Sequence, residues 1–169
     1  MRLFIALLPD ESFRKAIREL QKEMQKKGIH GHYTREENLH FTLAFIGEYP
    51  DPEDVLEVME SIPAEPFVLR IGKPGKYRDL YWCGIEPCPE LTEYVHHLRH
   101  ALADAGIPVD RKKFEAHMTL VRRAYTVNGE DYPDIEVPET EMTAFKVSLM
   151  RSDRGKHGMI YTEIGESLL

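Results

Sequence analysis

The sequence predicts an α/β (α+β) fold of two pseudo-symmetric lobes. Each lobe is a mostly antiparallel sheet with a helix on its outer face, and a central cleft lies between them. Three observations carry this reading. The tetrad His-x-Thr-Leu occurs twice, at His40-Phe41-Thr42-Leu43 and seventy-seven residues later at His117-Met118-Thr119-Leu120. The residues around it recur at an offset of 77 or 78: Leu3–Leu7 against Leu80–Gly84, Pro9 against Pro87, Gly28-Ile29 against Gly106-Ile107. Each copy also places an amphipathic, helix-periodic stretch between two short apolar runs. Composition alone would produce about 0.04 such tetrads, so two at matching positions indicate a duplicated strand–helix–strand unit.

The elements follow in order. Residues 2–8 form an apolar run that Pro9-Asp10 ends, which reads as a buried strand. From Ser12 to Lys27, Phe13, Ala16, Ile17, Leu20 and Met24 recur at helical spacing, and Gly28 stops the helix. A strand runs from about Leu39 to Ile46, and Pro52 opens a short helix over Asp51–Ser61. Phe67–Ile71 and Leu80–Ile85 read as strands joined by the Gly/Pro/Lys-rich loop Lys73–Arg78. Glu90–Ala105 is a second amphipathic helix before Gly106, and His117–Arg123 is the second tetrad's strand. Thr143–Met150 and Met159–Ile164 close the chain as a hairpin. No linker divides the sequence, so residues 1–169 are expected to form a single two-lobed domain.

Composition narrows the function classes. With 42% apolar and 30% charged residues the chain is expected to be soluble and cytoplasmic, with no membrane partner, and monomeric. Its opening apolar run is too short for a membrane span and lacks a signal peptide's cleavage site. A net charge of −7 argues against coating long nucleic acid, while Lys73–Arg78 and Arg151–His157 could each line a local basic pocket. Two cysteines, Cys83 and Cys88, are too few for a disulfide framework and match no zinc spacing. His96 and His100 are four apart on a helix, a spacing that can hold zinc. Leu91, Tyr94, Val95, Leu98 and Leu102 define that helix's buried face, however, and the histidines fall on the solvated side.

Alternate residues of a strand face opposite sides. His40, Thr42 and Ala44 therefore share one face, and Phe41, Leu43 and Phe45 the other. The second copy repeats this with His117 and Thr119 against Met118 and Leu120. A pseudo-twofold axis would bring both polar faces into one cleft. A neutral imidazole can take a proton from water while a protonated one supplies a proton to a leaving oxygen. Threonine hydroxyls can hold phosphoryl oxygens in line. This group suits phosphodiester cleavage with no cofactor and no metal. A lone histidine in a strand is more often a core residue than a catalyst; keeping the threonine hydroxyl in both copies favours the catalytic reading.

The stretches RLFIALLPDE, ENLHFTLAFIGE and AHMTLVR, in this order, resemble the two-histidine (2H) phosphoesterases, and within them the RNA 2′,3′-cyclic phosphodiesterases once described as 2′-5′ RNA ligases. The resemblance implies a bilobal fold and hydrolysis of 2′,3′-cyclic phosphate ends of RNA or nucleosides to 2′-phosphates. It implies that His40 is the proton donor and His117 the proton acceptor, with Thr42 and Thr119 beside them. Tyr33 stands where the family often has Trp, and Ala116 where it often has Pro. The family's basic residue after the second motif corresponds to Arg122. Strict alternation instead puts Arg123 on the His117 face, so both are carried as substrate-binding candidates, with a bulge as the means of reconciling them. The alternatives are RNA ligation in the reverse direction and a noncatalytic module that binds nucleotides or RNA ends.

Overall fold

A computed structural model describes all 169 residues. The first half begins with β1 (Arg2–Leu7), whose side chains from Leu3 onward are buried. α1 (Glu11–Lys26) follows, and the Asp10 carboxylate caps it by accepting from the Phe13 backbone N–H at 2.8 Å. Phe13, Ile17, Leu20 and Met24 form its buried stripe, and Gly28 ends it at φ +90°. β2 (His30–Tyr33) and a 3-10 turn (Glu36–Asn38) lead into β3 (Phe41–Glu48). α2 (Pro52–Ser61) and β4 (Phe67–Tyr77) connect to the second copy: β5 (Leu80–Ile85), α3 (Pro89–Asp104) and β6 (His117–Tyr125). β7 (Glu141–Ala144), β8 (Lys146–Gly155) and β9 (Gly158–Leu168) complete the chain.

The strands form two sheets, ordered β3-β1-β8-β9 and β2-β6-β5-β4-β7, with all of their pairings antiparallel. β3-β1-β8 in one sheet matches β6-β5-β4 in the other, so the predicted bilobal symmetry holds. The lobes are nevertheless interlocked. β2 comes from the first half and pairs with β6, while β8 and β9 follow the second half and join the first sheet, β8 against β1 and β9 against β8. A core of 34 buried residues runs through both halves. No helix is long and apolar enough to cross a membrane.

The tetrad strands carry the same irregularity. On β3, Ile5 and Ala6 pair with Ala44 and Thr42, so Leu43 is an extra residue. On β6, Tyr81 and Trp82 pair with Val121 and Thr119, so Leu120 is extra. Both leucines are fully buried. A bulge lets two consecutive residues face the same way and re-aims everything beyond it. Ala44 therefore joins the core, and Phe45 turns to the face that carries His40 and Thr42. This reverses the alternation expected for these two residues. By the same step Val121 is buried, and Arg122 turns to the His117 side.

Other expectations are also corrected. Lys73–Tyr77 is not a loop but the second half of β4, with a register shift between Ile71 and Pro74 that accommodates the proline. Gly75 fits there because the Trp82 ring lies across it; a Cβ would meet that ring at 2.1 Å. Thr143 belongs to β7 in the second sheet, so the closing hairpin is β8–β9 alone and is longer than expected. β2 was not foreseen. It meets a second irregularity in β6: His30 pairs with Tyr125 and His32 with Arg122, while Arg123 adopts φ +52°. Gly31 faces this spot at φ +148°, where a Cβ would lie 2.7 Å from Val121 Cγ1 and 2.8 Å from the Arg122 carbonyl oxygen. Gly31→Ala should therefore lift β2 from β6 and lower the unfolding free energy by about 1–3 kcal/mol. Urea denaturation reads this directly, and an unchanged midpoint would show that β2 is not held at Gly31.

Candidate active site

His40 sits immediately before β3, and His117 is the first residue of β6. Each ring is anchored in the same way. His40 Nδ1 lies 2.7 Å from the Asn38 carbonyl oxygen, and His117 Nδ1 lies 2.7 Å from the Glu115 carbonyl oxygen. A carbonyl can only accept, so Nδ1 carries the proton in both rings. Each neutral imidazole is thus the tautomer whose Nε2 lone pair is free to exchange a proton. His40 Nε2 stands 3.0 Å from Thr42 Oγ1, which donates to it when the ring is neutral.

The two histidines, both threonines and both candidate arginines line one cleft of about 920 Å³. The two nitrogen bases differ in environment. His117 is exposed, with Trp82 edge-on at 6.2 Å between ring centroids. His40 is half-buried between Phe4 at 5.1 Å and Tyr161 at 5.2 Å. Burial pushes the His40 pKa below the ordinary histidine value, and the charges of Arg122 and His117 add to the effect against the opposing Asn38 carbonyl bond.

The cleft lining contains Arg2, Arg35, Arg122, Arg123 and Arg154, four histidines and no carboxylate. The ion-paired arginines of the protein, Arg18, Arg70 and Arg151, lie elsewhere. A protein of net charge −7 has therefore concentrated unpaired positive charge around the histidines. Such a site attracts a polyanion. A larger cavity of about 1270 Å³ borders Trp82. It contains neither tetrad histidine, and Glu86, Glu115, Asp134 and Glu139 outnumber Lys73 and Lys76 in its lining. Chemistry rather than size identifies the site here.

Both arginine candidates reach the cleft: the bulge at Leu120 turns Arg122 inward, and the left-handed Arg123 follows it. Tyr33 also lines the cleft, with its hydroxyl donating to the Ile29 carbonyl at 2.7 Å. Of the two basic stretches, only Arg151–His157 reaches the site, through Ser152, Arg154 and His157 near the β8–β9 turn. The Arg35 guanidinium donates to the His157 carbonyl at 2.7 Å, and Asn38 Nδ2 to that of Met159 at 3.1 Å, tying this turn to the segment before His40. His96, His97 and His100 are exposed on α3, and no group of three or more His, Cys, Asp or Glu is arranged to hold a metal ion. Sequence reasoning missed Phe4, Tyr161, Arg2 and Arg35. Phe4 reaches His40 through the pairing of β1 with β3, and Tyr161 through those of β1 with β8 and β8 with β9, all between segments distant in sequence.

Known proteins are similar to this chain in sequence and in fold. The family model described as LigT-like phosphoesterase matches residues 7–79, which include the first tetrad. The RNA 2′,3′-cyclic phosphodiesterase of Archaeoglobus fulgidus is 31% identical over 72% of this chain and 72% of its own length. That of Thermotoga maritima is 27% identical over 98% of this chain and 94% of its own. The crystal structure of Escherichia coli LigT complexed with 3′-AMP superposes with a TM-score of 0.78 at 26% identity, covering 99% and 96% of the two chains.

The surroundings of His40 predict its titration. Burial and neighbouring cations disfavour the imidazolium, so the free protein should lose the His40 proton below the ordinary midpoint of about 6.5. A phosphate anion in the cleft reverses the sign of the local field and should raise that midpoint. Histidine-ring NMR across pH, with and without inorganic phosphate, measures both. A His40 midpoint at or above 6.5 in the free protein would contradict this account.

Proposed function

Because the chain belongs to the LigT-like phosphoesterase family, we propose that it hydrolyses 2′,3′-cyclic phosphate ends of RNA to 2′-phosphates, without a metal, by paired acid and base catalysis at its two tetrads. The observation that carries this reading is the convergence of His40 and His117 on one carboxylate-free cleft, each held by an Nδ1–carbonyl bond that leaves Nε2 for chemistry. A site that only binds phosphate needs positive charge, not two histidines prepared in the same tautomer.

In the proposed reaction, His117 Nε2 takes a proton from a water molecule as its oxygen attacks phosphorus. The bond from phosphorus to O3′ breaks, and His40 Nε2 gives its proton to that oxygen. The product keeps the phosphate on O2′, the histidines have exchanged protonation states, and solvent resets them. The hydroxyls of Thr42 and Thr119 donate to the non-bridging oxygens, and Arg122 offsets the charge that develops there. Arg123 and Tyr33 bind the adjoining nucleotide. A lowered His40 pKa makes its imidazolium a stronger acid, and the bound anion restores its protonated population.

The five arginines support RNA ends rather than free mononucleotides as the substrate class, since one cyclic phosphate does not need them all. Residues 1–169 act as one catalytic unit in this reading, because each half supplies one histidine. The test is turnover of a 2′,3′-cyclic nucleotide followed by phosphorus NMR. His40→Asn and His117→Asn should each lower kcat by roughly 10²–10⁴-fold, the usual worth of a positioned acid or base. The parent should release only the 2′-phosphate, at a rate that added chelator does not change. Activity near that of the parent in either variant would overturn the assignment, and binding without turnover in the parent would leave a nucleotide-binding module.

A further inference from the structure

The carbonyls of the bulge residues Leu43 and Leu120 each accept from a side chain of the opposite half, that of Leu120 in addition to the Thr34 backbone N–H at 2.9 Å. Arg99 of α3 donates from Nε to the Leu43 carbonyl at 3.0 Å. Gln21 of α1 donates from Nε2 to the Leu120 carbonyl at 3.1 Å. Gln21 and Arg99 are 78 residues apart, the offset of the duplication itself. Each also grips its own half in the segment that leads to its own tetrad. Gln21 Nε2 donates to the Thr34 carbonyl at 3.0 Å, and Arg99 Nη1 donates to the Lys112 carbonyl at 2.6 Å. One pattern, bulge carbonyl of the other half plus loop carbonyl of its own, is therefore built twice with different side chains.

β3 and β6 lie in different sheets and share no ladder hydrogen bonds. The apolar core between them is non-directional and does not by itself fix one strand's position along the other. Directional bonds from buried or half-buried donors do. Gln21 is only 8% exposed, and Arg99 stacks over Phe114 at 5.6 Å.

We propose that Gln21 and Arg99 are positioning residues, a reciprocal pair of clamps that holds the His40 strand and the His117 strand in one fixed relation across the cleft. The proposal rests on the acid–base reading of the cleft. Each half's proton-transfer group is aligned by the other half's helix. Releasing a clamp frees a bulge, and a bulge that closes turns the residues on one side of it to the wrong face.

The experiment compares Arg99→Leu, which removes the donors and keeps bulk, with Arg99→Gln, which copies the donor of the opposite clamp. Arg99→Leu should lower kcat roughly 10- to 100-fold, the scale of an ångström-level misalignment, with KM changed much less. Arg99→Gln should recover most of the loss. A readout independent of turnover is histidine-ring NMR during titration with inorganic phosphate. In the parent His40 and His117 should follow one saturation curve; in Arg99→Leu the two responses should separate. If Arg99→Leu does not fold, Gln21→Met carries the same comparison through the other clamp. Folded clamp variants that keep kcat within twofold and a single phosphate curve would overturn the proposal, as would equal losses in Arg99→Leu and Arg99→Gln. Should the parent fail to turn over cyclic phosphates, the proposed function fails and the phosphate titration alone decides the clamps.

Discussion

One extra residue in each tetrad strand, Leu43 on β3 and Leu120 on β6, governs what faces the cleft. Its burial anchors the strand to the core, while the break in alternation it creates selects the next cleft residue. In the first half that residue is Phe45, which packs under the Arg2 guanidinium at 5.1 Å. In the second half it is Arg122, whose charge reaches His40. Remove the extra residue, and either the histidine or the residue that follows the bulge must leave the cleft. The leucine is therefore as much a part of the motif as the histidine and the threonine.

Duplication gave the halves one geometry, and their environments then diverged. Both histidines use an Nδ1–carbonyl bond two residues back, which fixes the same tautomer. Phe4 and Tyr161 enclose only His40, while His117 stays open to solvent beside Trp82. Symmetric scaffolding with asymmetric burial leaves two imidazoles of one tautomer in different surroundings, and burial lowers the pKa of His40 until an anion binds beside it. The carboxylate-free ring of arginines adds a field that draws an anion to both. The interlocked strands, β2 in one sheet and β8–β9 in the other, make that ring a joint product of the two halves.

Much of this was legible from residues. The repeated tetrad, the helical spacing of Phe13 to Met24 and of Leu91 to Leu102, and the period-2 faces of His40/Thr42 and His117/Thr119 all reflect local backbone geometry, and all reappear. The same alternation failed at Ala44 and Phe45, because a bulge depends on the partner strand's register and leaves no local mark. β2 escaped notice because His-Gly-His-Tyr is short and polar and pairs with a strand about ninety residues away. The Lys73–Tyr77 half of β4 read as a loop because glycine and proline usually punctuate. Here they answer to close neighbours, the Ile85 backbone against Gly72 and the Trp82 ring against Gly75. The aromatic enclosure of His40 and the arginines Arg2 and Arg35 come from segments that meet only in three dimensions.

The central claim is that the two histidines of one cleft are not interchangeable: one must be neutral and the other protonated when a cyclic phosphate is opened. The pH dependence of turnover tests it most directly. The parent should give a bell-shaped profile belonging to the pair as a coupled system. His117→Asn should lose the acidic limb and keep the alkaline one, because the base no longer needs to be deprotonated. His40→Asn should do the converse. Variants that each retain both limbs would contradict the account.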